Sequence, residues 1–228
     1  MNKSETQGFD ISGKSAAVIG CGGLGCNIAV HLAGAGIGKL LLIDYDTVSE
    51  SNLNRQFLYS IEDAGKFKAE LAAAKLKKYS PNTDITFINR KINTTEDLNE
   101  IKNLDIVFLA VDNNEARKLL QKICAENKIP LVNGGINGFL GTAYLYVPEK
   151  SPCLDCAGLT EKESGGVSVS STAGIIGALE AEIGIKHLLG NDEAAGILHI
   201  YDNGEISKLK IKPQKNCGIC GRQTNVGT

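Results

Sequence analysis

Four cysteines fall in two pairs of identical spacing, Cys153-Leu-Asp-Cys156 and Cys217-Gly-Ile-Cys220. Each pair presents two thiolates at the spacing a tetrahedral zinc ion accepts, and two pairs in one chain complete a four-sulfur structural site. A redox dithiol is the rival reading, but a single active dithiol has no use for a second pair. The other three cysteines, Cys21, Cys26 and Cys124, have no such spacing and read as packing thiols.

A second group of residues could hold a nucleotide. Gly20-Cys-Gly-Gly-Leu-Gly25 follows an apolar strand and opens a helix, so Gly20, Gly22, Gly23 and Gly25 allow a tight turn and bring backbone amides against a phosphate. Asp44 ends the next strand, where a carboxylate accepts hydrogen bonds from ribose hydroxyls. Alone, these features say only "nucleotide", with NAD the usual occupant. The segment that follows, through Asn52, Arg55 and Gln56, and then Lys68, gathers cations and amides beside the loop. Hydride transfer needs no such cluster. Expulsion of pyrophosphate does, because charge builds on the leaving group. Asp112 follows another buried strand and is placed to hold magnesium through oxygen ligands. The plainer alternative makes Arg55 and Lys68 surface charges and Asp112 the cap of the helix that begins at Asn113.

The elements that must position these groups alternate. Strands are expected at Ser15 to Ile19, Lys39 to Ile43, Asp84 to Asn89, Asp105 to Ala110 and Pro130 to Asn133. Helices are expected from the glycine loop to about Ala35, over Lys66 to Tyr79, near Thr95 to Lys102, and over Asn113 to Asn127. Buried strands joined by helical crossovers make a parallel, doubly wound, Rossmann-like α/β sheet with its ligand crevice beyond the C-terminal strand ends. After Gly134 the pattern changes to antiparallel strands at Ala143 to Val147, Gly196 to Tyr201 and Ile206 to Ile211. Between them lie a polar loop ending at Ser171 and a long small-residue helix, Thr172 to Leu189. The expected organisation is a single unit over 1–228, with a nucleotide-binding half at 13–134 and the antiparallel strands, crossover loop and cysteine knuckles at 135–228.

Composition narrows the classes. A chain of 228 residues that is 43% hydrophobic can bury a sizeable core, and 24 basic against 26 acidic residues give no electrostatic case for nucleic acid. No apolar run reaches the roughly 18 residues of a membrane span, and the first dozen residues are polar, so a cytoplasmic protein is expected. That reducing compartment favours metal-bound or free thiols over disulfides.

Asp44 to Gln56 has the form Asp-x-Asp-x-Val-x-x-Ser-Asn-Leu-x-Arg-Gln, and in this the chain resembles the ThiF/MoeB/HesA family, bacterial relatives of ubiquitin-activating enzymes. The likeness runs from about Gly13 to Gly221. It implies an enzyme that binds ATP with magnesium and adenylates the C-terminal carboxylate of a small ubiquitin-like sulfur carrier (ThiS/MoaD-like, ending in Gly-Gly), as in thiamine or molybdopterin pathways. It further implies that Gly22 and its neighbours line the nucleotide and that Asp44 holds the ribose. Asn52, Arg55 and Lys68 would contact phosphates, Gln56 would support them, and Asp112 would coordinate magnesium. A zinc remote from ATP, on Cys153, Cys156, Cys217 and Cys220, and a homodimer belong to the same resemblance.

Two features depart from the family. Several members carry a reactive cysteine just before Thr-Ala-Gly, where this chain has Ser170 and Ser171. Members also use an N-terminal arginine that reaches the partner subunit's ATP site, and the first dozen residues here contain none. Three other functions stay open: the same activation on a ribosomal peptide or another carboxylate, a catalytically silent docking partner, and an NAD-dependent oxidoreductase.

Overall fold

The computed structural model describes residues 9–92, 96–160 and 168–220. Its strands are β1 (Ser15–Ile19), β2 (Lys39–Ile43), β3 (Asp84–Ile88), β4 (Ile106–Leu109), β5 (Leu131–Asn137), β6 (Leu140–Tyr146), β7 (Ile197–Asp202) and β8 (Glu205–Lys210). They form one sheet in the order β3-β2-β1-β4-β5-β6-β7-β8. Pairings from β3 through β5 are parallel, and those from β5 to β8 are antiparallel. The reversal of strand order between β1 and β4 opens a crevice at their C-terminal ends.

Among the described residues four α-helices cover the sheet: α1 (Gly23–Gly34), α2 (Lys68–Tyr79), α3 (Asn114–Glu126) and α4 (Ser170–Leu188). Strand alternation sends Ala16 and Val18 into the core shared with α1, α2 and α4, while Ala17 and Ile19 enter a second core under α3. Burial on both faces explains why β1, β2 and β4 read as unbroken apolar runs. Strand β8, by contrast, is exposed along its whole length and ends the sheet with charged residues, as suits an edge.

The antiparallel half departs from expectation at its start. The strand expected to stop at Asn133 runs on through Gly134 and Gly135 to Asn137, and its partner begins at Leu140, three residues before Ala143. Gly134 looks like a strand end, yet it is a packing glycine: a Cβ there would overlap the Glu180 carboxyl of α4. The turn proper is at Gly138, whose φ of +60° suits glycine.

Helix α4 begins at Ser170, two residues earlier than expected. Two of its glycines let neighbours approach, Gly177 against α1 and Gly184 over Phe108 of β4, while Gly134 of β5 makes room for its Glu180. The short helix near Thr95 is a 3-10 turn at Glu96–Ile101, and part of the crossover loop lies outside the described residues. Among the described residues no helix is long and apolar enough to cross a membrane.

Candidate functional site

The glycine loop divides its labour. Gly20 has φ +93°, and a Cβ on it would collide with the Ala110 carbonyl of the neighbouring strand; a Cβ on Gly25 would collide with the Gly20 carbonyl. These two glycines close the turn, and Gly25 lies beneath the crevice rather than on its wall. Gly22 and Gly23 face the open space. Gly22 caps α1 without a side chain, and no acidic residue occupies the first turn. The helix therefore offers unsatisfied N–H groups and a partial positive charge to an anion.

Asp44 holds this loop in place. Its Oδ2 accepts from the Cys21 N–H at 2.6 Å and its Oδ1 from the Asp46 N–H at 2.8 Å. Burial raises its pKa, and the two N–H groups act in the opposite sense. A carboxylate has lone pairs beyond these two bonds, so ribose binding remains available to it.

The segment after β2 folds back over the loop. Asn52 sits in a 3-10 turn, Glu50–Asn52, and its carbonyl accepts from the N–H groups of Arg55 and Gln56. The Arg55 guanidinium bonds the Ser51 carbonyl and the Asn54 amide, and its stem lies beside Gly23. Gln56 is 3% exposed, lies next to Gly22, and has a buried Oε1 with no hydrogen-bond partner among the described residues. Lys68 opens α2, is 5% exposed, and places its ammonium 3.1 Å from Asp46 Oδ2. Asp112 lies beyond β4 and is exposed. It is not the cap of α3: Asn113 is, accepting the Ala116 N–H at 2.7 Å.

Gly20, Gly22, Gly23, Asp44, Asn52, Arg55, Gln56, Lys68 and Asp112 all line one crevice of about 710 Å³. That volume is within the range of small-molecule and cofactor sites. The structure adds residues that sequence reasoning missed. Arg90 and Lys91 enter from the end of β3, Arg117 from the first turn of α3, and Gly134 and Gly135 form a side-chain-free wall. The Asn-Arg-Lys run after β3 was the one local signal for the first two. Nothing local marks Arg117 or Gly134, whose places depend on the sheet.

The four cysteines of the two knuckles meet against the core that lies under α3. All four sulfurs lie within 4.8 Å of one another, with Cys153–Cys156 at 3.7 Å, Cys153–Cys217 at 3.5 Å and Cys156–Cys220 at 3.7 Å. A tetrahedral ion with metal–sulfur bonds of about 2.3 Å requires sulfurs roughly 3.8 Å apart, so the donor set fits zinc. The Gln214 N–H points at Cys156 Sγ, 3.3 Å away. Burial raises the Cys217 thiol, but the backbone N–H groups of Cys220 and Ile219 and the neighbouring thiols more than offset this and bring it to about 7. By contrast Cys21, Cys26 and Cys124 are buried, and burial pushes the last two to about 12, which marks them as inert thiols.

A glycine loop, an acidic strand end and converging cations meet at the topological switch point of an α/β sheet. A family model described as "ThiF family" matches residues 5–220, nearly all of the chain. The chain belongs to the ThiF family. It is 35% identical over 225 residues to the adenylyltransferase and sulfurtransferase MOCS3 of Drosophila yakuba, covering 93% of this chain and 49% of that protein. It is 34% identical over 234 residues to the molybdopterin-synthase adenylyltransferase of Escherichia coli K12, covering 95% and 93%. The chain thus spans about half the length of the insect relatives it matches. Among solved structures, E. coli MccB with ATP superposes with a TM-score of 0.84 at 26% identity, over 92% of this chain and 67% of that one.

Proposed function

We propose that this chain is an adenylyltransferase acting as a single unit in the cytoplasm. Its substrate is the C-terminal carboxylate of a small ubiquitin-like sulfur carrier ending in Gly-Gly, and its co-substrate is ATP. The observation that carries this is the meeting of Arg55, Lys68 and the uncapped α1 N-terminus with Asp112 in one crevice. Resemblance to enzymes named for molybdopterin synthase supports the class of acceptor.

The chemistry asks little covalent work of the protein. A carboxylate oxygen of the carrier attacks the α-phosphorus, the bond to the bridging oxygen of the β-phosphate breaks, and pyrophosphate leaves. Gly22 and Gly23 bring backbone N–H groups against the phosphates, while Arg55 and Lys68 stabilise the charge that grows on the leaving group. Lys68 is well suited because Asp46 and burial fix its ammonium before substrate arrives. Asp112 would hold magnesium, which supplies further charge neutralisation on the phosphates. Gly134 and Gly135 present backbone to the crevice, and an extended Gly-Gly tail would lie along it beside the nucleotide. The four cysteines would hold a structural zinc that takes no part in the reaction.

With Ser170 where several family members carry a thiol, the reaction ends at the acyl-adenylate, and a separate sulfur source or amine consumes it. Exchange of labelled pyrophosphate into ATP, dependent on magnesium and on a carrier with a free C-terminal glycine, is the test. Tight binding of NAD with no binding of ATP would refute the proposal. A peptide acceptor is the second reading, favoured by the likeness to MccB, for which a complex with N-formylated MccA is known. Exchange driven by short peptides but not by carrier proteins would select it.

A further inference from the structure

Arg117 lies at the junction of the crevice and the cysteine knuckle. It is 5% exposed, yet lines the crevice wall. One guanidinium nitrogen donates to the Val111 carbonyl at 3.0 Å, and Val111 directly precedes Asp112. The other donates to the Asn114 side chain at 3.1 Å and to the Leu159 carbonyl at 3.3 Å. Leu159 belongs to the knuckle turn, because its N–H bonds the Leu154 carbonyl and the Ala157 N–H bonds the Cys153 carbonyl. One helical turn further along α3, the Gln121 side chain is fully buried and its oxygen accepts the Leu154 N–H at 2.9 Å. Helix α3 is therefore fastened to the knuckle at two points and to the Asp112 strand end at a third.

Every one of these bonds is buried or partly buried, where a lost partner leaves a desolvated polar group and costs more than an exposed bond would. A guanidinium also has a fixed fork geometry, so it cannot follow a displaced Leu159 without releasing Val111. Two acidic side chains act on this guanidinium, Glu180 on α4 and Asp112, and burial pushes the Glu180 carboxyl well above the usual carboxylate range.

We infer that Arg117 is a positioning residue that joins Asp112 to the four-cysteine knuckle, so that the state of the knuckle sets how well Asp112 takes a divalent cation. The inference rests on the adenylation proposal for the role of Asp112, while its test does not require an acceptor. ATP binding to the full chain is measured by calorimetry across a magnesium series, with pyrophosphate exchange followed in parallel. Arg117→Lys keeps the charge but cannot reach two carbonyls and an amide at once. It should raise the magnesium concentration for half-maximal ATP binding roughly tenfold, the scale of losing an outer partner of a metal ligand. Cys217→Ser should produce a similar rise, and the double variant little more than either alone, because both break one linkage. Gln121→Met, outside the crevice lining, provides a second variant if Arg117→Lys folds poorly, and it should raise the midpoint in the same direction. Unchanged midpoints in Arg117→Lys and Gln121→Met, or effects that multiply independently with Cys217→Ser, would overturn the linkage. A silent exchange assay with magnesium-dependent ATP binding intact would count against adenylation alone, since the midpoint shift is read without it.

Discussion

Lys68 and Arg55 differ in how they are prepared for the task proposed for both. Lys68 is buried against Asp46, whereas Arg55 is exposed at its tip and bonds the Ser51 carbonyl and the Asn54 side chain, both within four residues of it in sequence. Replacing either with Ala should remove roughly 2.7–4 kcal/mol of transition-state stabilisation, the cost of losing one donor to a developing anion. Pyrophosphate exchange rates would show this as a fall in turnover larger than any loss of ATP affinity. Normal exchange in both variants would reduce the pair to surface charge. Ser170 should behave differently. It stands in the first turn of α4, has no thiolate character, and is half-buried. Ser170→Ala should leave exchange nearly unchanged, and mass spectrometry of enzyme with ATP and carrier should show adenylated carrier and no covalent adduct. An adduct mapped to Cys21, Cys26 or Cys124 would restore a thioester or persulfide step.

The glycine loop and its strands were legible because local and tertiary demands coincide there. Ser15 to Ile19 and Lys39 to Ile43 are apolar runs bounded by glycine and charge, and they are β1 and β2 to the residue. The motif residues from Asp44 to Gln56 could be singled out because the phosphate site proposed for them needs those side-chain types close together. Gly134 could not be read this way: its reason is Glu180, 46 positions later in the chain and on another element. Arg117 was equally hidden, since the amphipathic pattern of α3 cannot say which of its turns meets the crevice. The packing role of Gly25 gives a sharp test of the loop. Gly25→Ala should destabilise the protein by about 1–3 kcal/mol, as overpacking does, and weaken ATP binding, because only backbone movement can relieve the clash with Gly20. Gly13→Ala, with open space around it, is the matched control and should do neither. Thermal melts and nucleotide titrations of the two variants decide the point.

Asp63 links the motif segment to α2. It closes a capping box with Ser60 and pairs with Lys75, and that pairing, above the opposing effect of burial, holds its carboxyl down at about 2. A carboxyl whose folded pKa is depressed stabilises the fold fully above its unfolded value near 4, and this contribution fades as pH falls toward 2. Asp63→Asn should therefore lower the melting temperature by a few degrees at neutral pH, with the gap from the unsubstituted protein closing in acid. A gap independent of pH would assign the effect to the cap and not to the charge.

Across the whole molecule, the cysteine cluster ties the chain after β8 back to the far face of the sheet. Cys153 and Cys217 are 64 positions apart, and the segment between them contains α4, β7 and β8. A cross-link closing a loop of that size constrains the unfolded chain by about 4 kcal/mol. In a protein of this length, 1 kcal/mol corresponds to roughly 2–4 °C, so loss of the metal should lower the melting temperature by roughly 8–16 °C. Metal analysis should return one zinc per chain, and Cys217→Ser should reproduce most of the loss, because three sulfurs cannot complete the tetrahedron. The drop should be accompanied by faster proteolysis in the stretch after β8, which the cluster holds against the knuckle through Gln214. Zinc-free protein that melts at an unchanged temperature would make the two pairs redox groups or bystanders. It would also remove the structural ground for coupling through Arg117.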